Sequence, residues 1–256
     1  ENWRNLISVG ANPIAITNCL NFGNPENKEI MGEFAECIQG IKEACEFLNF
    51  PVVSGNVSFY NGTNQKSIFP TPVVGGVGLI PDISKTLNHY FKKENSNIIL
   101  IGKTFGHIEQ SCFLKENFSI SEGLPPEINL NNEKNNGETV LQLIRTNLVT
   151  SVHDISSGGL LVALSEMSIG SNLGAKIYKP KKLTNKFEYF FGEDQGRYII
   201  EVEKANLEKV IKMLNGNEVY YENIGKTQVK NFEVESEFNI GVNDLFKINS
   251  QWYNNY

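Results

Sequence analysis

The chain has few cysteines, few basic residues and no long apolar run, and each shortage excludes something. Only four of its 256 residues are cysteine, Cys19, Cys37, Cys45 and Cys112. None forms a Cys-x-x-Cys pair, so zinc-ribbon and dithiol redox motifs find no support. Four scattered cysteines in a chain this long fit a reducing cytosol, and a cytoplasmic location is expected. Nowhere do eighteen apolar residues follow one another, so no membrane-spanning helix is read. No basic region followed by an apolar run opens the chain, so no secretory signal is read either. The 23 Lys and Arg against 29 Asp and Glu give a formal net charge of -6, the wrong sign for a nucleic-acid footprint. An anionic ligand would need local devices such as metal ions or backbone amides. What is present is an ordinary globular balance, 40% hydrophobic and 20% charged. That is enough apolar mass for a sizeable core in one large domain or two modest ones.

Two common nucleotide-binding signatures are missing. Gly102-Lys103-Thr104 and Gly225-Lys226-Thr227 invite a P-loop reading, but the glycine required five residues earlier is replaced by Asn97 and Tyr220. Both triplets read as turns after strands or helices. Gly76-Val77-Gly78 is followed by Pro81 where a dinucleotide fingerprint needs its third glycine.

Periodicity divides the chain into mixed elements. Trp3, Leu6, Ile7 and Val9 have helical spacing, and the chain opens on Glu1 without methionine, which reads as a fragment whose beginning lies upstream. Residues 13–17 predict a strand and 21–25 a loop of turn formers. The clearest helix spans 28–48, with Met31, Phe34, Ile38, Ile41, Cys45 and Leu48 on one stripe. Pro51-Val52-Val53 predicts a buried strand running into Ser54-Gly55-Asn56-Val57-Ser58, and residues 71–80 predict a glycine-bearing strand. The polar stretch 82–97 marks a domain boundary. Beyond it the pattern predicts strands at 98–102, 149–152, 173–178 and 197–203. Helices are predicted at 139–148, 158–169 and 206–214, a long surface connection with some helix at 115–137, a basic loop at 179–186, and strand and turn at 217–225. This alternation argues for two mixed α and β domains, with no internal repeat.

Four segments carry chemistry, each beside a plainer reading. Thr17 to Glu26 places Asn18, Asn21 and Asn24 after a strand, able to bind a ligand, a metal or the loop's own backbone. In Ser54–Ser58, Gly55 lets a backbone amide approach phosphate and the Asn56 carbonyl oxygen suits Mg²⁺; the plainer reading is a hairpin corner. In Ser151 to Leu160, Asp154 suits a metal and Ser156 a phosphate; the plainer readings are helix caps for both and a hydrogen-bonded structural role for His153, with no second histidine nearby. Phe191 to Arg197 reads as an exposed acidic turn. No cysteine pairs with a candidate base, so no cysteine nucleophile is read.

Taken in order, these segments resemble one family, the small bacterial synthetase subunit of phosphoribosylformylglycinamidine synthase. The carrying runs are Arg4 to Ala11, Asn21 to Glu26 (Asn-Phe-Gly-Asn-Pro-Glu), Gly55 to Tyr60 (Gly-Asn-Val-Ser-Phe-Tyr), Pro70 to Val74, His153 to Leu160, and Phe191 to Arg197. The likeness covers nearly the whole chain, and Trp252 fits the family's C-terminus. It implies an α+β fold like that of aminoimidazole ribonucleotide synthetase. A partial second A-type domain would fill 1–88 and a second B-type α/β domain 89–256. The family's first half, which supplies the catalytic histidine, would be missing, so this piece alone is expected to be inactive and carries no catalytic residue.

The implied reaction is ATP-dependent amidation. ATP phosphorylates the amide oxygen of formylglycinamide ribonucleotide, and ammonia displaces the phosphate to leave an amidine. The implied partners are the missing half of the chain, a glutaminase subunit that supplies ammonia, and a small assembly subunit. No nucleic acid or membrane is implied. Matched residue by residue, Asn18 and Gly55 fall on ATP contacts, Asn56 on a Mg²⁺ ligand and Ser58 on a substrate contact. The larger, fused family form also holds an auxiliary nucleotide; its metal ligands match Glu1, Asn5 and Asp154, and Ser156 matches a nucleotide contact. Glu1 and Asn5, four apart, would share one helix face. Asn18 and Ser157 stand where the family usually has aspartate, and Asp194 where it usually has serine. Two alternatives remain: a non-catalytic structural half holding an auxiliary Mg-nucleotide, and a kinase-like or selenophosphate-type enzyme of the same superfamily. The latter lacks the Asn-Phe-Gly-Asn-Pro-Glu run.

Overall fold

A computed structural model describes residues 1–64, 66–178, 180 and 185–254. The first elements are α1 (Asn2–Ser8), β1 (Asn12–Asn21), α2 (Lys28–Leu48), β2 (Val52–Ser58), the short hairpin strands β3 (Gly62–Thr63) and β4 (Lys66–Ser67), and β5 (Thr71–Leu79). There follow β6 (Asn97–Ile101), α3 (Cys112–Phe118), α4 (Leu130–Arg145), β7 (Ser151–Asp154), α5 (Gly159–Ile169), β8 (Leu173–Ile177) and α6 (Lys186–Phe191). The chain continues through β9 (Tyr198–Val202), α7 (Leu207–Gly216), β10 (Tyr221–Val229), β11 (Asn231–Val234), β12 (Phe238–Gly241) and α8 (Val242–Asn254). The basic loop expected at 179–186 lies largely outside the described residues; its last residue, Lys186, opens α6.

Contacts divide the chain into two compact units. The small unit is Ala11–Pro81; the large unit gathers Trp3–Gly10 with the chain from Asp82 onward. In the small unit β1 lies between β2, its parallel neighbour, and β5, its antiparallel one. β1 is longer than the predicted strand: Asn18, Cys19 and Leu20 are strand residues, because β2 and β5 both keep pairing with them as far as Asn21. Asn27 caps α2 by accepting from the Glu29 amide. Phe34 of α2 then meets Phe22 and Phe59 edge-on, each pair of ring centroids 5.1 Å apart.

One expectation about this unit fails. β2 forms, but it is not buried: Val52, Val53 and Val57 are exposed, Val53 at 69%. β2 is an edge strand with β1 as its one sheet neighbour, and α2 contributes no fully buried residue. An apolar run specifies a strand without specifying what covers it.

The large unit is built on a seven-stranded sheet in the order β12-β11-β8-β10-β6-β9-β7. Its pairs are antiparallel except β11 with β8. Every residue of β6 and β9 is buried. Ile98, Leu100 and Ile199 join Leu160, Leu164 and Met167 of α5 in one apolar cluster. From the other face of β9, Tyr198 reaches Gly137 of α4, where Trp3 of α1 also packs. Helices therefore cover both faces, which explains continuous apolar strands in place of alternating ones. Each such side chain contributes roughly 1.5–3 kcal/mol on burial.

Three further differences have local causes. α4 begins at Leu130, within the stretch expected to be a surface connection with some helix; Asn129 caps it, but Glu133, Asn136 and Gly137 are buried where a surface was expected. An Asn-rich first turn hides the helical period from a count of apolar residues. Gly225-Lys226-Thr227 is not a turn but lies inside β10, paired with both β6 and β8. β11, β12 and α8 follow where no element was predicted.

Candidate functional site

The small unit brings four of the predicted residues to adjacent strands. The parallel register sets Asn18 opposite Gly55, Cys19 opposite Asn56 and Asn21 opposite Ser58. Asn56 and Ser58 sit two apart on β2 and share a face, as the period of an extended strand requires. The hairpin-corner reading of this segment is overturned, since Ser54 to Ser58 are continuous strand. Gly55 has a steric reason to be glycine: the Asn18 amide oxygen occupies the space that a Cβ would take. The Asn56 Nδ2 faces Cys19 Sγ at 3.8 Å, which leaves its Oδ1 as an oxygen donor. Ser58 is fixed by Asn61, whose Nδ2 donates to the Ser58 carbonyl (3.0 Å), the Ser58 hydroxyl (3.1 Å) and the Phe22 carbonyl (3.1 Å).

An Mg²⁺ ion would find one hard oxygen here, from Asn56. Among the described residues no group of three or more His, Cys, Asp or Glu is arranged to hold a metal. An ion at Asn56 would therefore take most of its shell from phosphate oxygens and water, as Mg²⁺ commonly does.

The large unit contains the other predicted set. Glu1, Arg4, Asn5 and Ser8 are spaced by three and four along α1, on one face. The Ser8 hydroxyl bonds the Arg4 carbonyl (3.0 Å) and lies 3.5 Å from Asp154 Oδ1. Ser8 is thus turned to Asp154, while Glu1 and Asn5, on the same helix face, are exposed. Burial alone would raise the Asp154 carboxyl. The hydrogen bond and charge of His153, with the charge of Arg4, outweigh it and hold the group below its ordinary value. Asp154 is a carboxylate, but it already has a cation beside it. Burial would lower His153, yet its bonds to Asp154 and Glu166 push it up to about 9, with Nε2 3.0 Å from Glu166 and Nδ1 3.7 Å from Asp154. A divalent ion at Asp154 would meet that positive charge, so this set fits a metal less well than its spacing suggests. A second histidine does stand near, against expectation: the His89 ring centroid is 4.8 Å from that of His153. Helix capping does not explain Asp154 or Ser156 either, because Gly158 is the N-cap of α5 and no side chain caps it.

The segment expected to be an exposed acidic turn is a buried hub. Asp194 accepts the backbone amides of Phe105 (2.9 Å), Gly106 (2.9 Å) and His107 (3.1 Å). Glu193 accepts the amides of Cys112 (2.8 Å) and Gly158 (2.7 Å), joining the starts of α3 and α5. Arg197, fully buried, donates to the carbonyls of Gly192 (2.6 Å) and Asp194 (3.1 Å) and to Thr104 Oγ1 (3.1 Å). Burial pulls its guanidinium down to about 10 against the opposing charge of Asp194. Arg4 is a second buried cation, bonded to Glu133 Oε2 (2.7 Å) and Gln195 Oε1 (2.9 Å). Sequence reasoning missed both arginines. The available signal was an arginine amid apolar neighbours, between Trp3 and Ile7 and ahead of Tyr198-Ile199-Ile200.

No helix among the described residues is long and apolar enough to cross a membrane. Comparison with known proteins places both halves. The chain is 52% identical over its full length to the phosphoribosylformylglycinamidine synthase subunit PurL of Pelagibacter ubique, and spans 35% of that relative's length. Solved structures of Thermotoga maritima PurL share the fold. The complex with ADP has a TM-score of 0.70 and the complex with FGAR 0.71; each is 17% identical and matches 95% of this chain, covering 39% and 41% of those chains. The family model for the AIR synthase related protein N-terminal domain matches residues 1–80 and that for its C-terminal domain residues 93–236. With an α+β fold of this kind and both domain models matched, the chain belongs to the AIR synthase related protein family.

Proposed function

We propose that this chain is part of an ATP-dependent synthetase that amidates formylglycinamide ribonucleotide in purine biosynthesis. The observation that carries the reading is the register of β1 and β2, which sets Asn18 against Gly55 and brings Asn56 and Ser58 to the same strand pair. In this reading Asn18 and Gly55 contact ATP, Asn56 gives Mg²⁺ one oxygen, and Ser58 contacts the ribonucleotide. When bound, such an ion would supply charge neutralisation at the transferring phosphate. Asn56, fixed by its register opposite Cys19, would hold the ion, and Ser58, held by Asn61, would meet the ribonucleotide. ATP loses its terminal phosphoryl group to the amide oxygen, and ammonia then replaces that phosphate to leave the amidine, ADP and phosphate. The likeness to PurL supports this assignment, and the missing part of the chain, a glutaminase subunit and a small assembly subunit are the proposed partners.

Glu1, Asn5, Asp154 and Ser156 form a proposed auxiliary nucleotide site in the large unit, favoured by the contact of Ser8 with Asp154 and opposed by the charge on His153. The test of the main reading is Asn56→Ala in the full-length protein. Synthetase turnover should fall at least about tenfold, with the loss partly recovered by excess Mg²⁺. Unchanged turnover and Mg²⁺ dependence would remove Asn56 from the reaction.

A further inference from the structure

The function proposed above leaves Asn21 without a role, although this residue ends β1 and opens the Asn-Phe-Gly-Asn-Pro-Glu run. The two faces of the small sheet differ. Ile16 and Leu20 of β1 are buried, and Phe22 just beyond them meets Phe34 of α2. Cys19, on the opposite face, is exposed. Side chains alternate along a strand, and residues paired across strands share a face. The register therefore lays polar rows across the open face. One row is Asn56, Cys19 and Val73, and the next is Ser58, Asn21 and Thr71. Asn21 thus stands directly beside Ser58 and one row from Asn56.

The Asn21 amide is held at one end only. Its Nδ2 is turned to the carbonyls of Cys19 (3.4 Å) and Thr71 (3.5 Å) and to Cys19 Sγ (3.5 Å). Asn56 turns its own Nδ2 to the same sulfur at 3.8 Å. Thr71 donates its hydroxyl to the Phe69 carbonyl at 2.8 Å, so it does not reach for Asn21. Among the described residues nothing donates to Asn21 Oδ1. The residue is half-buried on a strand paired on both sides. Its oxygen is therefore already placed, and little ordering remains to oppose a ligand.

The chemistry of that oxygen selects its partner. An amide oxygen only accepts, so it meets a hydroxyl or an N–H. An ionised phosphate oxygen also only accepts, and is the wrong group for this position.

We propose that Asn21 is a further substrate-binding residue, its Oδ1 accepting from a hydroxyl or amide N–H of the ribonucleotide that Ser58 contacts. Cys19 and the Thr71 carbonyl hold the amide with its oxygen outward. This inference rests on the reading of Ser58 given above, and the test separates the two.

The test is steady-state kinetics of the full-length synthetase with ammonia as the nitrogen source, for wild type, Asn21→Ala, Asn21→Asp and Ser58→Ala. Asn21→Ala should raise KM for formylglycinamide ribonucleotide about three- to tenfold, the strength of one neutral hydrogen bond, with kcat, KM for ATP and Tm unchanged. Asn21→Asp keeps an acceptor oxygen, so its rise in KM should be the smaller of the two. Crystals of the wild-type protein with the ribonucleotide should place a hydroxyl or N–H donor within about 3.2 Å of Oδ1, and which donor it is tells the ribose from the amide. An unchanged KM in Asn21→Ala beside a raised KM in Ser58→Ala overturns the inference alone. If neither variant moves KM, the substrate reading of these strands falls with it. A larger rise in Asn21→Asp than in Asn21→Ala, or a phosphate seated at Asn21 in the crystals, would turn the Nδ2 end to the ligand and overturn the inference. A shift in KM for ATP, or a fall in Tm that tracks the rise in KM, overturns it as well.

Discussion

The two units use their strands in opposite ways. In the large unit β6 and β9 are buried along their whole length, and polar side chains among them serve as anchors: Glu201 of β9, fully buried, holds the amides of Lys92 and Lys93 and the Ser151 hydroxyl. In the small unit β2 is exposed almost throughout, and its polar residues, Asn56 above all, have few partners within the chain. Buried polar groups must be satisfied internally, so they become structure. Exposed polar groups on a rigid strand are left for a ligand. That contrast predicts stability effects in one unit and functional effects in the other.

The largest effect should come from the hub. Arg197→Met leaves Asp194 buried without its cationic neighbour and strips donors from the carbonyl of Gly192 and the hydroxyl of Thr104. Unfolding stability should drop by about 3–5 kcal/mol, read as a fall in the denaturant midpoint. The matching change in the small unit, Asn56→Ala, should alter stability by less than about 0.5 kcal/mol while it damages turnover. A costly Asn56→Ala and a harmless Arg197→Met would together reverse the comparison.

Apolar truncation sharpens it. Ile99→Ala in β6 should cost about 2–5 kcal/mol, the range for emptying a packed core. Val53→Ala in β2, with most of its surface already in water, should cost no more than about 0.5 kcal/mol. A large loss at Val53 in the full-length protein would show that another surface covers that face.

How far this contrast could be read from the sequence depends on what each signal measures. Apolar periodicity located α2, β5, β6 and α5, because a run of the right period has few other ways to pack. It could not report cover: Val52 and Val53 read as core for the same reason that Ile98 and Ile99 do. The Gly-Asn-Val-Ser run was legible as a candidate site, since glycine and asparagine on an apolar strand need a reason. The hub was not. Glu193 and Asp194 have the composition of a surface turn, and only the tertiary approach of residues 104–107 and of the starts of α3 and α5 turns them into internal acceptors, Asp194 buried and Glu193 partly so. The start of α4 was hidden for a related cause, its Asn-rich first turn lining a cavity instead of a core.

His153 offers an intermediate effect. Its folded value of about 9 lies above the ordinary value of 6.5. The stabilisation is therefore fully present below about pH 6.5 and lost as pH rises through about 9. Full linkage would give about 3 kcal/mol, but Glu166 is half-exposed and solvent screening lowers this to about 1–2 kcal/mol. Chemical denaturation at pH 6 and pH 9.5 should show that decline, and His153→Gln should flatten it. A decline of equal size in His153→Gln would assign the pH dependence to other groups.

The smallest expected effect tests the small unit at its most direct departure from the family pattern. Asn18→Asp keeps the oxygen that lies over Gly55 and changes only its charge. The side chain is nearly isosteric and strand pairing of β1 is untouched, so stability should stay within about 0.5 kcal/mol. If Asn18 borders a bound Mg-nucleotide, the added charge attracts the ion and repels the phosphates. The Mg²⁺ concentration for half-maximal activity should then fall, while apparent ATP affinity changes by less than about tenfold, or ~1.4 kcal/mol. Parallel titrations of Mg²⁺ and ATP on the full-length variant separate the two. If neither titration moves, Asn18 serves only to cover Gly55, and the site on these strands begins at Asn56.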